Sequence, residues 1–357
     1  MTSSDPRTSR RSILKAGMVL TGAMAAPAVI RGTAEAQEKV LYVNTWGGGW
    51  TAAEEEAYYK PFTAETGIRI RTVVPVSFAK LKAQVQSGVY EWDCSCFNAS
   101  ELIVGDREGL VEKIDWSVVR RENIYPNGGI YKDIGITTLV LNTNLAYRKD
   151  KFPNGGPTSW ADYWDAKKFP QKRAMYDRSF TTLSFALLAD GVPTDKLYPL
   201  DIDRAFRKLD EIKPHIKAWY TQGNQMVQLI KDGEVDMIPF WGSRAPELIK
   251  AGVPLELVWS GVENKPAVWC VAKGTPRAKL AWQFIDFCAR PDRLAVFCER
   301  LSYGPINPKA LEFMKPETIA SMPTSAKNLA VSYFPDEEWL ADRLPALKDR
   351  FSQWLAS

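Results

Sequence analysis

The chain has 357 residues, of which 45% are hydrophobic and 25% are charged, with 46 lysines and arginines against 42 aspartates and glutamates. Residues 1–36 hold five of the basic residues and two of the acidic ones, so the remainder is almost neutral. This balance excludes a basic nucleic-acid-binding arm and a strongly charged membrane-surface face. With His215 as the only histidine and no Cys-x-x-Cys pair, we expect neither a metal site nor a cofactor.

The first 36 residues have the order of a bacterial export signal. Arg10 and Arg11 form a twin-arginine start, an uncharged apolar stretch follows over 16–30, and Ala-Glu-Ala at 34–36 supplies a cleavage site. The apolar stretch of about 15 residues is shorter than the roughly 20 needed to span a bilayer. The alternative is a buried N-terminal helix. We predict export to the periplasm by the twin-arginine route.

Strand and helix patterns alternate after this signal. Hydrophobic runs predict strands over 39–44, 68–74 and 92–97, and the segments between them predict helices that begin at Thr51 and Ser77. Strands that alternate with helices through short links are typical of a mostly parallel sheet.

The pattern changes after a further strand over 134–142. A turn-rich break over 152–157 precedes a helix that starts at Ser159, and a second α/β unit continues to about residue 260. The remaining predicted elements are a strand and two helices, over 268–272, 277–290 and 291–300. A chain of this length exceeds one comfortable hydrophobic core, so two lobes are expected.

The odd number of cysteines leaves at least one thiol unpaired in an exported protein. Cys288 and Cys298 could pair across a helix–turn–helix, or all the cysteines could be small buried hydrophobic residues. Twin-arginine export carries chains that are already folded in a reducing cytoplasm, which favours the second alternative. The cysteines are Cys94, Cys96, Cys270, Cys288 and Cys298.

Six segments, in family order, resemble the solute-binding proteins of ABC importers, in the spermidine/putrescine-type branch of extracellular solute-binding family 1. They lie at 40–48, 62–68, 135–144, 157–165, 233–243 and 281–287. The resemblance implies the type II periplasmic-binding-protein fold, an α/β fold in which two lobes close by a hinge around a small-molecule solute. It implies ABC permease subunits of the inner membrane as partners, and we expect a monomer.

The resemblance also implies where the chain passes between lobes. The expected divisions are the export signal at 1–36, lobe one at 37–143 and 268–310, lobe two at 144–267, and a C-terminal helical segment at 311–357 that packs on the lobes.

Candidate ligand-binding residues of lobe one follow its strands. Glycines at a strand-to-helix turn let the backbone approach a ligand, free N–H groups there suit an anionic group, and aromatic rings can wall the pocket. The alternatives are a plain turn with packed tryptophans and an ordinary helix cap. The candidates are Trp46, Gly47, Gly48 and Trp50 after the first strand, and Phe97, Asn98 and Ser100 after the third.

Lobe two offers Trp241, Ser243 and Arg244 after a Gly-Glu-Val-Asp-Met strand. The resemblance aligns Trp241 with an aromatic residue that stacks on the ligand. The guanidinium fork of Arg244 matches a carboxylate, and the alternative is a solvated arginine at a helix start.

The acids that polyamine binders use to neutralise ammonium groups are missing at the aligned positions. Arg178, Thr181 and Val268 stand there, and Asp177 is one residue away. Asp177 and Arg178 are therefore included among the candidate ligand-binding residues, and we predict a solute with a carboxylate, such as an amino-acid-like compound, in place of a polyamine.

The alternative class of function is an exported hydrolase that uses the cleft between the lobes. His215 has no Ser or Cys partner motif, and the sequence has no Gly-x-Ser-x-Gly. The adjacent acids Glu54 and Glu55, and Glu337 and Glu338, are interpreted as solvated helix faces. The sequence therefore favours a binding protein over an enzyme.

Overall fold

Eleven strands form one mixed sheet within residues 39–357, the part of the chain that the computed structural model describes. The predicted export signal lies outside the described residues. The strands are β1 (Val40–Asn44), β2 (Arg69–Val73), β3 (Cys94–Asn98), β4 (Ile130–Tyr131), β5 (Gly135–Arg148), β6 (Arg173–Tyr176), β7 (Ile216–Tyr220), β8 (Met237–Trp241), β9 (Leu255–Val271), β10 (Gly304–Pro305) and β11 (Ser332–Tyr333).

Helices cover the sheet, and the first two are joined into one run by a π-helical stretch, Glu55–Tyr59. In residues 39–357, every helix is too short or too polar to cross a bilayer. The helices are α1 (Gly48–Glu54), α2 (Lys60–Thr66), α3 (Phe78–Ser87), α4 (Ala99–Arg107), α5 (Trp160–Trp164), α6 (Ser179–Ala189), α7 (Ile202–Ile212), α8 (Gly223–Lys231), α9 (Ala245–Lys250), α10 (Ala278–Cys288), α11 (Pro291–Leu301), α12 (Pro316–Ala320), α13 (Ala326–Leu329) and α14 (Glu337–Ala356).

The strand order β2-β1-β3-β9-β5-β8-β6-β7 separates two groups of parallel strands. β1 pairs in parallel with β2 and β3, and β6 pairs in parallel with β7 and β8. The long strands β5 and β9 pair antiparallel between the two groups. We call the β1–β3 side, with α10 and α11, the first lobe and the β6–β8 side the second lobe.

Aromatic side chains fill the core of the first lobe. Tyr58 stacks on Phe297 with ring centroids 5.0 Å apart, and Phe62 meets Phe284 and Phe287 edge-on, with centroids 5.4 Å apart in each case. Burying one large aromatic side chain contributes about 2–3 kcal/mol. These contacts fix the helical run α1–α2 against α10 and α11, and thereby fix the loop that precedes α1.

The second lobe has a separate core around α5 and α6. Trp160 stacks on Phe185 with ring centroids 3.7 Å apart, and its indole N–H donates to the carbonyl oxygen of Gly261 at 2.8 Å. The Ser159 hydroxyl accepts the N–H of Asp162 at 3.2 Å, so the predicted start of this helix is confirmed.

The start of the first helix differs from the prediction. α1 begins at Gly48, so Thr51 is not the N-cap residue but lies inside the first turn, where its hydroxyl accepts the N–H of Gly47 at 3.1 Å. Gly47 and Gly48 have φ of 83° and 57°, which side chains other than glycine rarely adopt. The predicted cap at Ser77 is confirmed, because its hydroxyl accepts the N–H of Lys80 at 3.3 Å.

Strand β9 is much longer than the predicted strand over 268–272. Gly261 has φ of 70°, Pro266 lacks an N–H, and Glu263 and Lys265 interrupt the hydrophobic run, so local patterns conceal residues 255–267 of the strand. Hydrogen bonds to β5, a strand distant in the sequence, hold this segment extended. Pairing with β5, and not the local sequence pattern, therefore determines the conformation of this segment.

Polar residues mark the point where β5 crosses from one lobe to the other. The pairing register between β5 and β9 shifts between Thr143 and Leu145. Asn144 is completely buried there, and its Nδ2 donates to the carbonyl oxygen of Val258 at 3.0 Å. The crossing is therefore held by specific hydrogen bonds across an irregular ladder.

Helix α14 contacts both lobes. Near its C-terminus, Trp354 packs against Phe206 and Trp219, with ring centroids 5.8 and 5.7 Å apart. Near its N-terminus, Asp342 forms an ion pair with Arg107 of α4 at 2.5 Å. Apolar contacts thus attach α14 to the second lobe, and solvent-exposed charges attach it to the first.

All the cysteines are free and buried in the first lobe. Burial raises the pKa of each thiol, so these groups are protonated and poor nucleophiles at neutral pH. In this structure they pack as small hydrophobic side chains.

Candidate functional site

The strand ends of the two lobes face each other, and we call the region between them the cleft. Across it, the Ser243 hydroxyl, which follows β8, donates to the Tyr303 hydroxyl of the first-lobe core at 2.7 Å. The next residue, Arg244, places Nη1 3.6 Å from where a Cβ atom on Gly49 would stand. The segments after β1 and β8 therefore face each other, at the carboxyl ends of parallel strands, where α/β folds bind ligands.

The first-lobe wall of the cleft is residues 46–49, which we call the glycine loop. The Trp46 side chain is 42% exposed and is available to cover a ligand. Gly47 and Gly48 hold left-handed backbone conformations that turn the chain into α1. The N–H groups of Gly48 and Gly49 make no hydrogen bond with another described residue, and both glycines are exposed.

Trp50 does not line the cleft. It is only 8% exposed, and its ring packs against Phe297 at 5.1 Å and Tyr303 at 5.7 Å, measured between ring centroids. The predicted pocket wall at this position is a core residue, because α1 turns its side chain towards α11.

The candidates after β3 are mostly structural. Phe97 is buried against Trp92, with ring centroids 6.1 Å apart. The Asn98 amide donates to the Glu101 carboxylate at 3.1 Å, and Ser100 is buried beside the carboxyl group of Glu337. Phe97 and Ser100 are therefore not exposed to a ligand, while Asn98 begins α4 at the edge of the cleft.

Trp241 forms a wall of the cleft in the second lobe. Its half-buried ring covers Gly223 so closely that a Cβ atom there would be 2.4 Å from the ring. It meets Tyr176 nearly edge-on, with centroids 6.2 Å apart. The ring is thus held in one orientation at the end of β8.

Asp177 follows the neighbouring strand β6. Its N–H donates to the carbonyl oxygen of Tyr220 at 2.8 Å, which extends the pairing of β6 with β7. Its half-buried carboxyl group has no hydrogen bond or ion pair within residues 39–357, and burial raises its pKa. An acid without a partner in this position is suited to a cation.

Arg178 lies between the lobes. Its guanidinium is 5.0 Å from the centre of the Phe180 ring, and one nitrogen lies 3.4 Å from the Tyr176 hydroxyl. Burial lowers the pKa of Arg178, but Tyr176, Glu101 and Glu263 outweigh burial and raise it. Since Glu101 belongs to the first lobe, this arginine interacts with charges on both sides.

A buried ion pair that the sequence analysis missed lies beside Arg178. Lys265 pairs with Glu263 on β9, and both contact the Thr181 hydroxyl, at 3.0 and 3.1 Å respectively. The Lys265 ammonium is 4.9 Å from the centre of the Phe180 ring, which Arg178 also contacts. The sequence signal that could have revealed this pair is two charged residues two positions apart in an extended segment, which places both on one face.

Arg244 differs from these cations because its charge is unpaired. The half-buried guanidinium forms no hydrogen bond or ion pair with the residues that the structure describes. It points at the glycine loop, where the N–H groups of Gly48 and Gly49 make no hydrogen bond with another described residue. Five fixed N–H donors in a partly dry cleft favour a carboxylate.

Of the acids interpreted as solvated, Glu54 is buried and Glu337 is half-buried with an enclosed carboxyl group. Glu54 is fully buried and accepts hydrogen bonds from Thr45 at 2.5 Å and Tyr59 at 2.7 Å. Burial raises its pKa to about 7. The carboxyl group of Glu337 is also enclosed, and its pKa is raised to about 7 for the same reason. Helix–helix packing, which the local pattern does not contain, covers both groups.

Comparisons with known proteins agree with this architecture. The family model for bacterial extracellular solute-binding proteins matches residues 57–327. A gamma-aminobutyric acid-binding protein from Pseudomonas aeruginosa is 36% identical over 329 residues, which cover 90% of this chain and 93% of that protein. A spermidine/putrescine-binding periplasmic protein from Salmonella typhimurium is 24% identical over 322 residues, which cover 86% of this chain and 87% of that protein.

Solved structures give the same result. An ABC transporter substrate-binding protein from Bradyrhizobium japonicum has a TM-score of 0.85 at 35% identity, over 88% of this chain and 99% of that one. The chain belongs to the bacterial extracellular solute-binding proteins, which confirms the resemblance and the two-lobe α/β fold. It is the binding component of an ABC importer and captures a small polar solute. The family consists of transport proteins, with small-molecule ligands and permease partners, and does not support the hydrolase alternative.

Proposed function

We propose that the cleft captures a small zwitterion that carries a carboxylate and an amino group, of the size of 4-aminobutyrate. The observation that carries the proposal is Arg244, a half-buried guanidinium with no partner in the described chain, which faces the free N–H groups of the glycine loop. A solute carboxylate placed between them accepts hydrogen bonds from both lobes.

The amino group of the solute binds at Asp177. Asp177 and Arg244 follow β6 and β8, which are adjacent parallel strands, and neither is paired with the other or with another residue in 39–357. Each is thus free for one end of a zwitterion. The rings of Trp46 and Trp241 cover the short carbon chain, and Trp241 adds cation–π attraction to the ammonium group.

A polyamine fits this site less well. Arg178, Lys265 and Arg244 bring positive charge to the cleft, and Glu101 and Glu263 offset part of it. This leaves Asp177 for the ammonium groups of a polyamine, of which there are at least two. A buried ammonium group without an acid partner is costly. The 36% identity to a gamma-aminobutyric acid-binding protein, against 24% to a spermidine/putrescine-binding one, supports the same preference.

Binding closes the lobes around the solute by a hinge where β5 and β9 cross. The register shift at Thr143 and the buried polar residues beside it support this location. The proposed organisation is lobe one at 37–143 and 268–310, lobe two at 144–267, and the helical segment 311–357 across both. The mature protein works as a monomer in the periplasm after twin-arginine export, and the permease recognises the closed form.

Titration calorimetry on the protein without residues 1–36 tests the ligand class. 4-Aminobutyrate should bind, while butyrate and butylamine, which each carry one end of the zwitterion, should bind more weakly. Tight binding of putrescine with no response to any carboxylate overturns the proposal.

A further inference from the structure

We infer that Glu54 is a positioning residue for the binding cleft, which acts through Thr45 and Thr51 to hold the glycine loop in its ligand-ready shape. The inference rests on the proposed function to the extent that it takes the glycine loop as part of the ligand site. It assigns a role to a fully buried acid that touches no solute itself.

Four polar groups form a continuous chain beneath the loop. The Thr45 hydroxyl donates to Oε2 of Glu54 at 2.5 Å. The Thr45 and Thr51 hydroxyl oxygens are 2.9 Å apart. The N–H of Gly47 donates to the Thr51 hydroxyl at 3.1 Å. The chain therefore joins the buried carboxyl group to the backbone of the loop.

The direction of each hydrogen bond follows from the proton count. A hydroxyl group has one proton, and Thr45 gives its proton to Glu54. Thr45 must therefore accept from Thr51, whose own proton is used in this bond. The Thr51 oxygen can then only accept a further hydrogen bond, and the donor is the N–H of Gly47. The carboxyl group at one end thus fixes which backbone group is held at the other.

Holding Gly47 determines what the loop presents to the cleft. Gly47 has φ of 83° and Gly48 of 57°, so the chain turns sharply and the N–H groups of Gly48 and Gly49 remain unbonded. Arg244 of the second lobe faces Gly49. If Gly47 is released, the glycines regain many backbone conformations, and a ligand must then restrict them at the expense of affinity.

Glu54 is itself fixed by its neighbours. Tyr59 donates to Oε2 at 2.7 Å, and the indole of Trp50 lies against the carboxyl group. Trp50 is in turn packed on Phe297 and Tyr303. The position of the glycine loop is thereby fixed relative to the aromatic core of the first lobe.

Thr51→Val and Thr45→Val test the inference, because each removes one link and leaves Glu54 in place. Thr63→Val is the matched control, since the Thr63 hydroxyl donates to the Ile68 carbonyl oxygen at 2.8 Å at the other end of the same helical run. Thr51→Ser restores the hydroxyl and is the rescue variant.

Two measurements are made on each variant. Amide exchange by NMR should show a protected Gly47 N–H in the wild type and Thr51→Ser, and at least tenfold faster exchange in Thr51→Val and Thr45→Val. Affinity should fall about tenfold in the same two variants. Melting temperatures should fall no further than in Thr63→Val, in which affinity is unchanged.

The ligand probes are 4-aminobutyrate and putrescine, so that the two proposals fail separately. If the wild type binds putrescine alone, the proposed ligand class is wrong, and the same variant series with putrescine still decides the role of Glu54. Unchanged Gly47 exchange and unchanged affinity in Thr51→Val overturn the inference, as does an equal loss of affinity in Thr63→Val.

Discussion

The two walls of the cleft are built differently. The glycine loop of the first lobe offers backbone N–H groups and one exposed ring, and its nearby acid, Glu54, is buried and accepts hydrogen bonds from Thr45 and Tyr59. The second-lobe wall carries Asp177 and Arg244, whose charges have no partner in the described chain. We therefore propose that the first lobe mainly sets the shape of the site and that the second lobe sets its charge selectivity. Each prediction below tests this division.

The largest expected effect concerns stability and the first lobe. Burial raises the pKa of Glu54 from 4.5 to about 7. Between pH 4.5 and pH 7, the folded protein therefore keeps a proton that the unfolded chain has released. The stabilisation is complete below pH 4.5 and is lost as pH rises through 7, a change of about 3 kcal/mol in the free energy of unfolding. Glu54→Gln should remove this loss.

Urea denaturation at pH 5 and pH 8 measures the change. Glu337, whose pKa is also raised to about 7, contributes a slope of the same sign, so Glu337→Gln is the matched comparison. A wild-type protein that gains stability from pH 5 to pH 8, or a Glu54→Gln protein that keeps the whole slope, contradicts the prediction.

The second prediction concerns charge selectivity. Arg244→Ala should weaken 4-aminobutyrate binding about 100-fold, since a charge-assisted bidentate contact is lost from a partly dry site. Arg244→Lys should recover part of this loss, because it restores the charge but not the fork. Calorimetry measures both. Since Arg244 has no partner to lose, the melting temperature should stay near the wild-type value, and an unchanged affinity in Arg244→Ala would show that selectivity lies elsewhere.

The third prediction concerns the amino end of the solute. Asp177→Asn should weaken 4-aminobutyrate binding about tenfold, because an ammonium–carboxylate contact becomes a neutral hydrogen bond. Butyrate, which lacks the amino group, should bind Asp177→Asn at least as well as the wild type. Asp195→Asn, at an exposed position, is the control. If butyrate and 4-aminobutyrate lose equal affinity, Asp177 does not recognise the amino group.

The smallest effect should come from the exposed ring of the first lobe. Trp46→Ala should weaken every bound solute by about threefold to tenfold, since it removes apolar cover without removing a charge. Competition with 4-aminobutyrate and butyrate measures the effect on both. A loss confined to amino-bearing solutes would instead assign Trp46 to cation recognition and weaken the contrast between the walls.

Local signals predicted much of the fold. The caps at Ser77 and Ser159, the alternation of strands and helices, and the break after β5 are all present in the structure. Thr51 was a wrong cap, because left-handed glycines start the helix at Gly48 and place Thr51 inside its first turn. Residues 255–267 of β9 were missed, because their extended state depends on pairing with β5.

The candidate site was less predictable than the fold. Arg244, Asp177 and Trp241 lie in the cleft because strand ends in a parallel sheet share one edge, which the sequence pattern implies. Trp50 and Phe97 also lie near the carboxyl ends of their strands, β1 and β3, but both are buried in cores. A residue's distance from a strand end does not determine which way its side chain points.

The sequence by itself determined the class of protein, and the residue types at strand ends led to the anionic group that we propose for the solute. Tertiary structure alone decided which charges are free. Glu54 accepts hydrogen bonds from Thr45 and Tyr59, and Glu263 accepts one from Thr181, 82 residues away, because the fold brings these hydroxyl groups onto the acids. Arg244 faces the glycine loop without such a partner in the described chain. Whether a buried charge has a partner depends on which side chains the fold brings together, and those contacts exist only in the folded state.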